Sequence, residues 1–234
     1  MIPLRIDGPA AARRPWATLL LIALHFIAFA GQWGHGALEG AARTLGLVPA
    51  RLSSPESWRL LTPWEQLGPL FTHAFVHGGV VHLLGNLWCL FVFGAAVEDR
   101  LGPRRFVALY ALAGLCAAGA QIMAHPESMV PMIGASGAVA GVMGAGLVLR
   151  PGSRVVALVP TPVPLTVRPP AFALLGAWAL LQLLLASATQ GSETGVAWWA
   201  HVGGFGLGAT WALAERAREA LGAPGLLARR AARG

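Results

Sequence analysis

The chain has 234 residues, 56% of them hydrophobic and only 12% charged, with a mean hydropathy of +0.62. Soluble domains carry about 25% charged residues, so this composition excludes an ordinary soluble globule and indicates a polytopic membrane protein. A net charge of +7 does not indicate nucleic-acid binding here, because the arginines lie between apolar stretches, where they orient a chain in the bilayer.

All 17 basic residues are arginine and lysine is absent. With abundant Ala, Gly and Pro, this suggests a GC-rich, bacterial origin. Cys89 and Cys116 lie inside apolar runs without metal-ligand spacing, and read as packing residues.

Residues 1–15 read as an amino-terminal tail. The first apolar stretch, Trp16–Gly31, follows Arg13 and Arg14 but lacks a small-residue cleavage site, so it is expected to be a retained helix rather than a signal peptide. The connection from Gln32 to Gly78 exceeds the ~12–15 residues usual for an irregular loop. It holds Trp33, Trp58 and Trp64, and is expected to lie partly in the outer membrane interface. Five more apolar stretches follow: Gly79–Val97, Phe106–Ala124, Ile133–Leu149, Ala171–Ala188 and Ala197–Ala214. All are short beside the ~20 residues a spanning helix needs. Prolines 160, 162, 164, 169 and 170 predict an irregular loop between the fourth and fifth stretches. Residues 215–234 read as a basic carboxyl-terminal tail. No internal repeat is visible.

Fourteen of the arginines fall in the tails, the two-three loop and the four-five loop. Only Arg43, Arg51 and Arg59 fall on the other side, in one long loop. Both termini are therefore expected in the cytoplasm, the membrane being the inner membrane of a bacterium. The expected fold is an all-α membrane bundle of six transmembrane helices over residues 16–214, with a long first extracytoplasmic loop.

In that topology the second, fourth and sixth stretches all run inward. Their opening turns carry His82 and Asn86, Ser136, and His201, so polar groups from three helices converge at one depth. Nucleophilic and ionisable groups inside a membrane are costly and mark function by default. Ser136 begins a helix, where free backbone N–H groups and the positive dipole end can hold an oxyanion. Gly137-x-x-x-Gly141 and Gly204-x-x-x-Gly208 would let two helices touch closely enough to bring His201 to Ser136, as a serine nucleophile requires. His82 and Asn86 share a helix face and could donate to a developing oxyanion. Each also has a plainer reading, in helix packing or interhelical hydrogen bonding. The only aspartates, Asp7 and Asp99, fall on the cytoplasmic side, which favours a Ser-His dyad over a triad. His73-Ala74-Phe75-Val76-His77 has alanine where a zinc protease would need its glutamate base, so no metal or other cofactor is expected. His35, His125 and His25 receive no role.

The stretches His77-Gly78-Gly79-Val80-Val81-His82-Leu83-Leu84-Gly85-Asn86, Val97-Glu98-Asp99-Arg100-Leu101-Gly102, Gly134-Ala135-Ser136-Gly137 and Ala200-His201-Val202-Gly203-Gly204-x-x-x-Gly208 together resemble the rhomboid family of intramembrane serine proteases. The resemblance covers roughly residues 15 to 214. It implies Ser136 as nucleophile and His201 as general base and then acid. It implies His82, Asn86 and the Ser136 N–H as oxyanion stabilisers, and Glu98 and Gly102 as a structural motif at the cytoplasmic end of the second and third spans. The partners it implies are transmembrane protein substrates and membrane lipids, with no nucleic acid and with the oligomeric state open. A non-proteolytic, client-binding rhomboid-like protein is the alternative, and a transporter or channel is disfavoured because the polar groups cluster at one end.

There are two departures from the family pattern. Trp58-Arg59 lies about ten residues earlier than the family's first-loop Trp-Arg pair, whose place Gly68-Pro69 takes. Ala140 stands where some members carry an aromatic under the histidine, so another residue must support His201.

Overall fold

The computed structural model describes residues 1–7, 14–34, 38–189 and 195–231. Arg13, His35, Glu193 and Arg233 lie outside the described residues, as do the side chains of Trp33, Arg229 and Arg230. Strand β1 (Ile2–Asp7) precedes helix α1 (Trp16–Gly34). Five short helices, α2 (Leu38–Leu45), α3 (Pro49–Ser53), α4 (Ser57–Leu60), α5 (Pro63–Leu67) and α6 (Pro69–Thr72), build the first loop and lead to a 3-10 turn at His73–Phe75. Helices α7 (Val80–Leu101), α8 (Pro103–Ala124) and α9 (Ser136–Leu149) follow. Strands β2 (Arg154–Val159) and β3 (Leu165–Val167) separate α9 from α10 (Ala171–Ala188) and α11 (Trp198–Ala231). A helix thus stands on each of the six apolar stretches. Among the described residues, α7, α8 and α10 are long and apolar enough to cross a membrane, while α9 and residues Trp16–Gln32 of α1 are shorter apolar helices.

The expected helical bundle is present, but the fold is not purely α. β1, β2 and β3 form a three-stranded antiparallel sheet, so the amino-terminal segment is not simply a tail and the proline-rich connection is not irregular. The cause is visible in the sequence once the pairing is known. Val155, Val156 and Ala157 are buried, while the prolines at 160, 162 and 164 sit in the turn between strands and those at 169 and 170 follow β3. There they interrupt no central ladder. Trp88 of α7 donates its indole N–H to the Pro3 carbonyl, tying β1 to the bundle. The carboxyl-terminal residues also continue α11 to Ala231 rather than leaving it at residue 214.

The hinge between α7 and α8 is a single residue. Gly102 has φ 77° and ψ 160°, a region essentially reserved for glycine, and Pro103 opens α8 with its φ already set for a helix. α8 then buries Phe106, Leu109, Tyr110, Ala113 and Ala117, the three- and four-residue spacing of one helix face. Phe93, Phe106, Leu83, Leu90 and Leu109 are the heart of the core.

Glu98, one turn before that hinge, holds α1. Its carboxylate accepts from the Ala17 and Thr18 N–H groups at 3.0 and 2.8 Å and from the Thr18 hydroxyl at 2.7 Å. These are the orphan donors of a helix start, satisfied by a buried charge where the dipole favours one. Glu98→Ala strands them in an apolar setting. We expect it to cost about 3 kcal/mol, read as an earlier midpoint in thermal or denaturant titration of the purified protein.

The ion pairs fix the relative direction of the helices. Arg150 at the end of α9 meets Asp99 at the end of α7 at 2.9 Å, and Arg105 at the start of α8 meets Glu215 of α11 at 3.0 Å. Helices α7, α9 and α11 therefore share one direction and α8 opposes them. One end of the bundle is ionic, and the opening turns of α7, α9 and α11 lie together at the other.

Candidate active site

Three backbone clamps set the entrance to α9. Leu47 and Met132 exchange N–H···O bonds of 3.0 and 2.7 Å, and the Gly134 N–H donates to the His73 carbonyl at 2.9 Å. Burial pushes the His73 imidazole below its ordinary pKa, so it is neutral, and its Nδ1–H donates to the Pro69 carbonyl at 2.8 Å. Gly134 has φ 104°, and a Cβ there would come within 2.7 Å of His82 Nε2. Only glycine satisfies both demands. The chain then turns straight into α9 at Ser136. The first bond of the helix joins the Val139 N–H to the Ala135 carbonyl, so the N–H groups before it are those that a helix start leaves without an intrahelical partner.

The glycine pairs position the second side chain. A Cβ on Gly204 would fall on the Gly137 carbonyl oxygen, and one on Gly208 on the Gly141 carbonyl oxygen, so α9 and α11 touch backbone to backbone over two turns. The contact brings His201, in the first turn of α11, to Ser136 of α9. His201 Nε2 lies 2.9 Å from Ser136 Oγ. The other ring nitrogen, Nδ1, lies 2.7 Å from the amide oxygen Oε1 of Gln182. An amide oxygen only accepts, so Nδ1 carries the proton and Nε2 presents its lone pair to the serine hydroxyl.

His82 and Asn86 face the same space. The Gly78 N–H donates to His82 Nδ1 at 3.4 Å, which leaves the His82 proton on Nε2. Asn86 is buried and its Nδ2 has no hydrogen-bond partner. An unfilled buried donor is uncommon in a native structure and calls for a reason. Ser136, His201, His82 and Asn86 all line one cavity of about 990 Å³, whose wall also includes Gln121, Ser128, Ile133 and Trp198.

Sequence reasoning missed Gln182, Trp178 and Trp198. The His201 ring contacts Trp178 of α10, with centroids 5.9 Å apart, and Trp198 of α11 edge-on, at 6.0 Å. These two tryptophans supply the aromatic contacts that Ala140 does not offer. The signal was present: Gln182 is the one amide in the apolar helix α10, and Trp178 lies four residues before it on the same face.

His25 and His77 brace the scaffold. His25 Nδ1–H donates to the Leu21 carbonyl at 2.8 Å, and its Nε2 accepts from the Tyr110 hydroxyl at 3.2 Å. His77 packs edge-on against His25 and His82. Burial, with those two neighbours, pushes its pKa down to about 4. The first loop is tied to α1 by Gln32, whose amide donates to the Phe75 carbonyl at 2.7 Å and accepts from the His77 N–H at 3.2 Å. Trp58 is exposed on α4, with its indole on the Leu52 carbonyl, so the displaced Trp-Arg pair lies outside the cavity wall.

Residues 57–218, which contain His82, Asn86, Ser136, Gln182 and His201, match the family model of the Rhomboid domain. The chain belongs to the rhomboid family. Similar proteins include Rhomboid protease GluP of Bacillus subtilis, 33% identical over 60% of this chain and 26% of that protein. RHOMBOID-like protein 5 of Arabidopsis thaliana is 32% identical over 45% of this chain and 31% of its own length. Inactive RHOMBOID-like protein 8 of the same plant is 31% identical over 39% of this chain and 25% of its own length. The chain thus spans only a quarter to a third of these curated relatives. Family membership and the apolar helices make this rhomboid an integral membrane protein.

Proposed function

We propose that this rhomboid is an intramembrane serine endopeptidase that cleaves transmembrane or membrane-adjacent segments of membrane proteins. The observation that carries the reading is the Ser136–His201 contact of 2.9 Å, with the lone pair of the imidazole directed at the hydroxyl. In the proposed reaction His201 Nε2 takes the Ser136 proton as Oγ attacks the scissile carbonyl. The oxyanion receives hydrogen bonds from Asn86 Nδ2, His82 Nε2–H and the N–H groups that open α9. His201 then returns the proton to the leaving amine, and water hydrolyses the acyl-serine with the same base.

The depth of the site follows from helix length. α9 has 14 residues and at ~1.5 Å per residue reaches only about 21 Å, short of a ~30 Å hydrocarbon core. If its ionic end sits at the cytoplasmic surface, Ser136 begins below the opposite one, and the cavity supplies it with water. In this reading the six apolar helices form the membrane bundle, with α9 starting inside the bilayer from the outer side, both termini cytoplasmic, and a bacterial inner membrane as the proposed location. The first loop, with exposed Leu60, Trp64, Leu67 and Phe71, lies against the outer interface.

The test is cleavage of a single-span substrate protein in proteoliposomes. Removing one oxyanion donor costs about 10²–10³ in turnover. Asn86→Ala is expected to slow cleavage by that factor while the helical content and melting behaviour are kept. Cleavage at the wild-type rate would remove Asn86 from the oxyanion site. The second reading, a client-binding protein that does not cut, is favoured only by the similarity to a relative named inactive; binding of the substrate without any cleavage by wild type would establish it.

A further inference from the structure

We infer that Gln182 is a positioning residue for the reaction, fixing His201 in the one tautomer and ring orientation that can accept the Ser136 proton; the inference rests on the proposed Ser136–His201 chemistry. Three observations carry it. The Gln182 side chain is buried, 4% exposed, in a helix otherwise made of Ala, Leu, Gly, Trp, Phe and Ser. A buried amide there is costly unless it is hydrogen-bonded. Its Oε1 lies 2.7 Å from His201 Nδ1, a shorter contact than the 2.9 Å between His201 Nε2 and Ser136 Oγ. Finally, the Trp178 ring, one turn before Gln182, rests 5.9 Å from the His201 ring, so a single face of α10 holds both the plane and the edge of the imidazole.

The chemistry is that of the third member of a serine-hydrolase triad, carried out by a neutral group. The orienting partner holds the imidazole tautomer and does not itself take the proton. An amide oxygen does this without a charge, which suits a site surrounded by apolar helices, where an unpaired carboxylate would be costly. It follows that the site is a Ser-His-Gln constellation, in place of the dyad that the two aspartate positions suggested.

The test compares full-length wild type, Gln182→Leu and Gln182→Glu in detergent micelles, reading the rate at which a fluorophosphonate labels Ser136 as a function of pH, with circular dichroism as a fold check. Gln182→Leu removes the acceptor and keeps the bulk, and is expected to slow labelling by on the order of 10²-fold with its helical spectrum intact. Gln182→Glu restores an acceptor. It is expected to regain labelling well above the leucine variant, with the acidic limb of its pH profile moved to higher pH, because a carboxylate at Nδ1 stabilises the imidazolium. A purely structural role would produce neither the rescue nor the shift. Labelling of Gln182→Leu at the wild-type rate, or a glutamate variant as slow as the leucine one, would overturn the inference and leave the Ser-His reading standing. Absence of labelling in folded wild type would overturn both.

Discussion

His201→Ala is expected to reduce cleavage of a reconstituted transmembrane substrate by about 10⁴-fold or more, as is Ser136→Ala, and the double variant no further than either. The two side chains act as one unit. Ser136 Oγ is a poor nucleophile until its proton has somewhere to go, and the only base at hydrogen-bond distance among the described residues is His201 Nε2. His82, also in the cavity wall, spends its Nδ1 lone pair on the Gly78 N–H. It therefore offers a donor rather than a base. Neither substitution removes a large core side chain, so both proteins should keep the wild-type circular dichroism spectrum. Initial rates over enzyme concentrations spanning several decades would measure the loss, and additive effects in the double variant would mean that the residues work independently.

Gly208→Ala is expected to slow cleavage by about 10²-fold, although residue 208 touches no substrate. The added Cβ would fall on the Gly141 carbonyl oxygen, which is backbone and cannot rotate away. Helices α9 and α11 must part or slide, and overpacking of this kind costs about 1–3 kcal/mol. The larger effect is on geometry. The α9–α11 contact sets the backbone separation behind the 2.9 Å between Ser136 and His201, and a displacement of about 1 Å in such a constellation costs about 10²-fold in rate. Gly206→Ala is the control. Its Cβ meets nothing within 4 Å, so it should cleave and melt as wild type does. Equal behaviour of the two variants would show that the close helix contact is not what aligns the site.

The same glycines show why so much of the site was legible. Gly137, Gly141, Gly204 and Gly208 are spaced to meet, and they meet in register. The apolar stretches located a helix each, because a hydrophobic run is its own signal in a membrane protein. The convergence of His82, Asn86, Ser136 and His201 followed from alternating helix direction. What was not legible lacked a local signal. Strand β1 pairs with β2 across some 150 residues of sequence, and nothing in Ile2–Asp7 announces a partner. The prolines near β3 read as breakers when they mark its ends. Helices α2 to α6 are too short for periodicity to declare them. Gln182 was passed over because one amide in an apolar helix has no motif, and its role appears only when α10 lies beside the His201 ring.

The most direct test of the central claim is covalent labelling of purified wild type by a fluorophosphonate, with the modified residue located by mass spectrometry. One modified serine is expected, Ser136, with labelling lost in Ser136→Ala and His201→Ala. Labelling at another serine, or none at all in folded wild type, would contradict it.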